Sequence, residues 1–347
     1  MTRTALVIGA TGQVGRAAVA ALVRDGWRVR AGSRGRRPAG TWPADWAVEP
    51  ITVDRDDDAS LAAAVGTGCD VIIDTVGYGR GHAEQVLRLA DRIGSAVVLS
   101  SVGVYVDDEG RPFGADDFRP PELIPETQPT VPGRVDPFGA DDYAGGKVDL
   151  ERTLLAAGDR LPVTLLRAGA IHGPHTTQPR EWHFVKRALD RRPVRILAYA
   201  GESRFHPVST ANLAELIRLA AARPGSRVLN AGDPDVPTVR EIGAAIGALL
   251  DHRPEEVLID GPSPAPPVGG TPWTVPRPVV LDMTAAGREL GYRPVTDYPG
   301  SLPATVDWLV AAAQGRDWRA VFTDLVEYYT TDFFDYAAED AWLAARD

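Results

Sequence analysis

Cysteine, lysine and long apolar runs are what this sequence has least of. A single cysteine, Cys69, excludes an internal disulfide and a thiolate metal cluster, and its place in the apolar run from 69 to 74 reads as burial. No run of 18 apolar residues occurs, and the opening MTRTALVIGA passes straight into a strand pattern without a charged region, apolar stretch and cleavage site. The expectation is a soluble, cytoplasmic protein with no membrane partner. Positive charge is also short: the formal net charge of -10 argues against nucleic acid or anionic lipid as a partner. Lys147 and Lys186 are the only lysines, so arginine supplies nearly all of the 37 basic residues. That bias reads as a GC-rich genome, which weakens inference from an arginine and strengthens it from a lysine.

What is present is a rhythm. With 347 residues the chain has room for one large domain or two unequal ones. From residue 4 it runs as apolar strand, glycine turn, amphipathic helix and strand again: ALVIGA, TGQVG, RAAVAALVRDG, WRVRAGS. Further strands are expected at 48–53, 70–74, 96–99 and 163–166, with helices at 59–65, 82–93 and 144–157. This alternation predicts an α/β fold with a Rossmann-type, doubly wound parallel sheet. A proline-rich stretch from 106 to 139 interrupts the rhythm as a long loop. Beyond 170 the pattern is less regular, with helices expected at 181–190, 210–222 and 238–250 and a strand at 194–198. The expected division is a dinucleotide domain over 1–170, to which 204–230 returns, and a smaller substrate-binding lobe over 171–347. Its acidic, aromatic tail, 315–347, fits an amphipathic helix.

Four motifs carry chemistry. Gly9-Ala-Thr-Gly12-Gln-Val-Gly15 follows a strand and opens a helix, where glycines allow a tight turn and close approach of a pyrophosphate to the helix N-terminus. At the end of the second strand Ser33 and Arg34, followed by Arg36 and Arg37, stand where a carboxylate would bind the ribose hydroxyls of NAD. Hydroxyl and guanidinium donors suit a 2'-phosphate, so NADP(H) is favoured and NAD(H) is the alternative. Tyr143 and Lys147, four apart, share one helix face. A tyrosine beside an ammonium can exchange a proton with a carbonyl or alcohol oxygen. Lastly, a strand ends in Ser100-Ser101, where a hydroxyl would polarise that same oxygen.

In the order GxxGxxG, serine, YxxxK, the chain resembles the extended short-chain dehydrogenase/reductases of the NAD-dependent epimerase/dehydratase family. Glu126, Arg167-Ala-Gly-Ala-Ile-His172-Gly-Pro174, Arg204-Phe-His206-Pro-Val208 and Leu290-Gly-Tyr-Arg-Pro294 extend the resemblance over residues 4 to about 310. It implies that Ser101, Tyr143 and Lys147 are catalytic and that Gly9, Thr11, Gly12, Gln13, Val14 and Gly15 hold the pyrophosphate. It also puts Asp54 and Arg55 near the adenine, Val76, Gly77 and Lys147 near the nicotinamide ribose, and the turn through Ala168, Ala170 and Ile171 at the carboxamide. Family members pair through the helices at 82–93 and 144–157, so a homodimer is expected, with a monomer left open if the tail covers that face. Around the substrate the candidates are Tyr105, His172, Arg180, His183, Arg204 and His206; no metal site is expected.

Three readings follow. The first is an NADP(H)-dependent ketoreductase or dehydrogenase acting on a small metabolite, in specialised metabolism. The second is an NAD-dependent epimerase or dehydratase with retained cofactor, on a sugar nucleotide for example, although His206-Pro-Val-Ser209 departs from the family's usual sequence there. The third is a dinucleotide-sensing or RNA-associated protein without turnover, against which both the Tyr143–Lys147 pair and the acidic balance count.

Overall fold

The computed structural model describes residues 2–35, 42–134, 142–329 and 331–346. In chain order the elements are β1 (Thr4–Ile8), α1 (Gln13–Arg24), β2 (Arg28–Ser33), β3 (Val48–Thr52), α2 (Asp58–Val65), β4 (Val71–Asp74), α3 (Gly79–Arg88), β5 (Ala96–Ser101), α4 (Tyr143–Leu155) and β6 (Val163–Ala168). There follow β7 (Ala170–His172), α5 (Trp182–Leu189), β8 (Val194–Leu197), β9 (Pro207–Ser209), α6 (Thr210–Ala222), β10 (Arg227–Ala231), α7 (Val239–Leu249) and β11 (Glu255–Leu258). The chain ends with α8 (Thr284–Leu290), α9 (Tyr298–Ala313), α10 (Trp318–Val321), α11 (Thr323–Tyr328) and α12 (Tyr336–Ala344).

Two compact units form. The first comprises 1–169, 210–232 and 281–295. Its seven strands run in the order β10-β6-β5-β4-β1-β2-β3, all neighbours parallel. This is the doubly wound sheet that the alternating pattern predicts. β4 is buried along its whole length and β1 from Ala5 onward because helices cover both faces, and a core of Leu6, Ile8, Leu61, Ile72, Val86, Val98, Leu150 and Leu165 excludes water from one of them. The strand order reverses between β1 and β4, where Ile8 pairs with Asp74, and the crevice beyond such strand ends is where open α/β sheets take ligands.

The second unit comprises 170–209, 233–280 and 296–347. Two small parallel sheets, β7 with β9 and β8 with β11, sit among α5, α7 and α9. The tail is three short helices rather than the single helix expected from its composition, because Asp317 and Asp335 each cap a fresh start. It packs on α5: Phe322 and Trp318 lie against buried Trp182, and Arg187 makes a buried ion pair with Glu339 at 2.6 Å. No described helix is long and apolar enough to cross a membrane.

Candidate functional site

The glycine loop is built for close backbone approach. Gly9 has φ +80°, and a Cβ there would meet Thr75 Oγ1 at 2.4 Å and Val76 Cγ1 at 2.8 Å; a Cβ at Gly15 would meet the Gly9 carbonyl at 2.1 Å. The amides of Gly9 and Ala10 both donate to the Gly32 carbonyl, which ties the loop to the end of β2. No side chain caps α1 at Gly12, so the helix opens without an internal substitute for an anion. Thr11, Gln13 and Gly12 are half-buried and Val14 is buried beneath them. Val76, exposed past the end of β4, borders the same loop, and Gly77 beside it is buried. A dinucleotide's pyrophosphate fits this cradle.

Ser33 closes β2, half-buried, and its hydroxyl accepts from the Gly35 amide at 3.4 Å; Arg34 is exposed. Arg37 lies outside the described residues. Asp54 is exposed and accepts from the Asp56 amide. The Arg55 guanidinium is buried, donating to Asp74 at 2.8 Å, to Gln85 and to the His82 carbonyl at 2.9 Å. It fastens α3 to the end of β4.

On α4, Asp142 caps the helix by accepting from the Gly145 amide at 2.7 Å, and Tyr143 begins it with its side chain exposed. Four residues on, Lys147 is buried. Its ammonium donates to the carbonyls of Gly77 at 2.7 Å and Leu99 at 2.9 Å and lies 5.8 Å from the centre of the Tyr143 ring. Burial pushes the ammonium down to about 8. Another four residues on, Glu151 accepts from the Ser100 hydroxyl at 2.5 Å and pairs with the Arg167 guanidinium through both carboxylate oxygens. Lys147 and Glu151 thus grip consecutive residues of β5, immediately before Ser101. Ser101 caps the turn 102–104, its oxygen accepting from Gly103 at 3.1 Å, which leaves the hydroxyl proton to be donated.

No sequence signal points to Tyr78, which stacks on Tyr143 with centroids 5.8 Å apart and planes 17° from parallel. Tyr78 donates to the Asp142 carbonyl at 2.9 Å, and the Arg134 guanidinium lies 4.3 Å over its ring. Gly146 makes room for both: a Cβ there would stand 2.7 Å from Tyr78 Cζ.

Four substrate candidates prove to be interior. Tyr105 donates to Asn230 at 2.6 Å beneath the Arg167 guanidinium, within a network that Glu126 completes by accepting from the Asn230 amide. His172 bonds Asp233 at 2.8 Å through Nε2, beside buried Glu181 and Tyr298. His206 donates through Nε2 to the Asp233 carbonyl at 2.8 Å, and His183 is enclosed by Phe184, Phe333 and Phe334. Burial lowers the pKa of His183 and His206, so both are kept neutral as packing groups. Arg204 donates to the Val236 carbonyl near Glu241, while Arg180 is half-buried against Phe205 and Trp273. Ala168 ends β6 in the first unit; in the second, Ala170 is buried and Ile171 half-buried in β7. No group of three or more potential metal ligands occurs among the described residues.

Residues 9–123 match the NAD(P)H-binding family model. None of the curated proteins compared with the chain matches it. Among solved structures, an epimerase of Methanothermobacter thermautotrophicus is similar at 16% identity over 93% of this chain and 95% of its own, with TM-score 0.68. The dTDP-glucose 4,6-dehydratase of Bacillus anthracis str. Ames in complex with NAD is similar at 16% identity over 91% and 99%, with TM-score 0.67. The UDP-glucose 4-epimerase of Thermus thermophilus in complex with NAD is similar at 21% identity over 88% and 98%, with TM-score 0.64.

Proposed function

We propose that this chain, which has the fold of the extended short-chain dehydrogenase/reductases and an NAD(P)H-binding segment over residues 9–123, is an NAD(P)-dependent enzyme that oxidises or reduces a small hydroxyl or carbonyl compound. The observation that carries this reading is the pairing on α4 of an exposed Tyr143 with a buried, hydrogen-bonded Lys147. A sensor without turnover has no use for a buried ammonium there.

When bound, the dinucleotide supplies hydride exchange with the substrate carbon. The chain does the rest. Gly9, Gly12 and Gly15 admit the pyrophosphate to the backbone, with Thr11, Gln13 and Val14 around it, while Val76, Gly77 and Lys147 serve the nicotinamide-side ribose. Tyr143 gives or takes the proton at the substrate oxygen, Ser101 donates a hydrogen bond to that oxygen, and Lys147 sets the charge beside the phenol. Ser33 and Arg34, in place of a carboxylate at the end of β2, support NADP(H) as the preferred cofactor.

A second reading, epimerisation or dehydration with a retained cofactor, is favoured by the NAD complexes of the two similar solved proteins and uses the same three residues. The deciding experiment is to denature the purified protein, identify any released dinucleotide, and titrate the stripped protein with NADPH and NADH. Under the first reading the protein is empty and binds NADPH more tightly, with the preference lost in Arg34→Glu. Release of stoichiometric NAD would replace it with the second. Failure to bind either dinucleotide would overturn both.

A further inference from the structure

Tyr78 is held from several sides. Its backbone amide donates to His82 Nδ1 at 2.9 Å, its hydroxyl donates to the Asp142 carbonyl at 2.9 Å, and the Arg134 guanidinium donates to that hydroxyl while lying 4.3 Å from the centre of the ring. His82 is fixed in turn. With Nδ1 accepting, the ring proton is on Nε2 and is donated to Asp56 at 2.8 Å, and the His82 carbonyl accepts from the buried Arg55 guanidinium at 2.9 Å. Gly146 keeps the place of the Tyr78 ring open, since a Cβ there would come within 2.8 Å of Tyr78 Cζ and of Arg134.

Tyr143 stands at the first residue of α4 with its side chain 54% exposed, so no preceding helical turn lies beneath the phenol to restrict its rotamers. The clamped Tyr78 ring supplies a surface instead, 5.8 Å away between centroids and 17° from parallel. The carbonyl that takes the Tyr78 hydroxyl belongs to Asp142, which caps α4 and directly precedes Tyr143. One side chain therefore fastens the backbone at the start of the helix and packs on the phenol that follows. We infer that Tyr78 is a positioning residue for Tyr143: it sets the direction in which the phenol leaves α4, and His82 holds it in place. The inference rests on the reading of Tyr143 as the proton-exchanging group and adds a residue that acts through it. An aromatic stack of this kind biases side-chain populations by about two- to tenfold, which is the size of the loss expected when the ring is removed.

The test puts fluorotyrosine in place of Tyr143 in the full-length protein and follows its fluorine NMR signal. The ring current of Tyr78 should displace the native signal. Tyr78→Leu should return it toward the position of free fluorotyrosine, and Tyr78→Phe, which keeps the ring, should leave most of the displacement. His82→Ala, which frees the Tyr78 amide, should move the signal in the same direction as Tyr78→Leu and by less, and it keeps the test decisive if Tyr78→Leu does not fold. In unlabelled protein, reduction of a panel of small aldehydes and ketones by NADPH should fall about two- to tenfold in kcat in Tyr78→Leu, with KM for NADPH unchanged and activity recovered in Tyr78→Phe. A native signal at the free position, a signal that Tyr78→Leu leaves where it was, or an unchanged kcat in a Tyr78→Leu protein whose signal has moved would each overturn the inference. A displaced native signal in a protein that neither binds a dinucleotide nor turns over would overturn the redox reading while supporting the hold of Tyr78 on Tyr143, so the two failures are distinct.

Discussion

Replacing Lys147 with methionine should change how stability depends on pH. The ammonium is buried and its proton is held less tightly than usual, about 8 against 10.5 in the unfolded chain. Between those two values the unfolded state binds more protons than the folded one, so the native protein gains stability as pH rises through that window. At about 1.36 kcal/mol per pH unit the gain approaches ~3 kcal/mol, and the corresponding penalty is fully present at pH 7. Methionine has no proton to lose. It also leaves the Gly77 and Leu99 carbonyls without this donor, at about 1–3 kcal/mol each, but that cost does not vary with pH. The difference in urea unfolding free energy between the native protein and Lys147→Met should therefore widen in favour of the native protein from pH 8 to 10.5. Titrating groups remote from Lys147 cancel in the comparison, and making it in a Tyr143→Phe background removes the neighbouring phenol as well. A difference that stays flat across that range would refute the reasoning and mean that the folded protein holds Lys147 charged at no cost.

Two further perturbations address packing. Glu339→Ala strips the buried Arg187 of its counter-ion and should cost about 3–5 kcal/mol with early proteolysis of the tail, while the double change Arg187→Met/Glu339→Leu should recover most of it; a loss below about 1 kcal/mol would refute a tail anchored by this pair. Gly146→Ala forces a methyl to within 2.8 Å of Tyr78 and Arg134 and should cost about 1–3 kcal/mol in denaturant unfolding, whereas Gly81→Ala, on open surface of α3, should be neutral or stabilising by up to about 1 kcal/mol. Equal effects of the two alanines would show that Tyr78 is not held where it stacks on Tyr143.

The sheet and helix α4 were legible because their signals are periodic and local. Strands expected at 96–99 and 163–166 run to Ser101 and Ala168, two residues further in each case, since the serines, Arg167 and Ala168 continue the ladder that the apolar runs begin. Lys147 stood out by rarity and spacing, and Glu151, four residues beyond it on the same face, could have been read by the same rule. The aromatic and histidine candidates misled for a common reason. Tyr105 meets Asn230 across 125 residues and His172 meets Asp233 across 61, so burial with a distant partner leaves no mark on the neighbouring sequence. Tyr78 was missed for the same cause: its value lies in a stack on a residue from another helix.

Lys147 reaching the Leu99 carbonyl and Glu151 reaching the Ser100 hydroxyl fix α4 along and around its own axis relative to β5, as two pins fix a plate where one would leave it free to swivel. The alignment of Tyr143 with Ser101 therefore does not depend on the chain that joins the two elements. The two side chains can therefore keep their relation while the sequence of that connection varies.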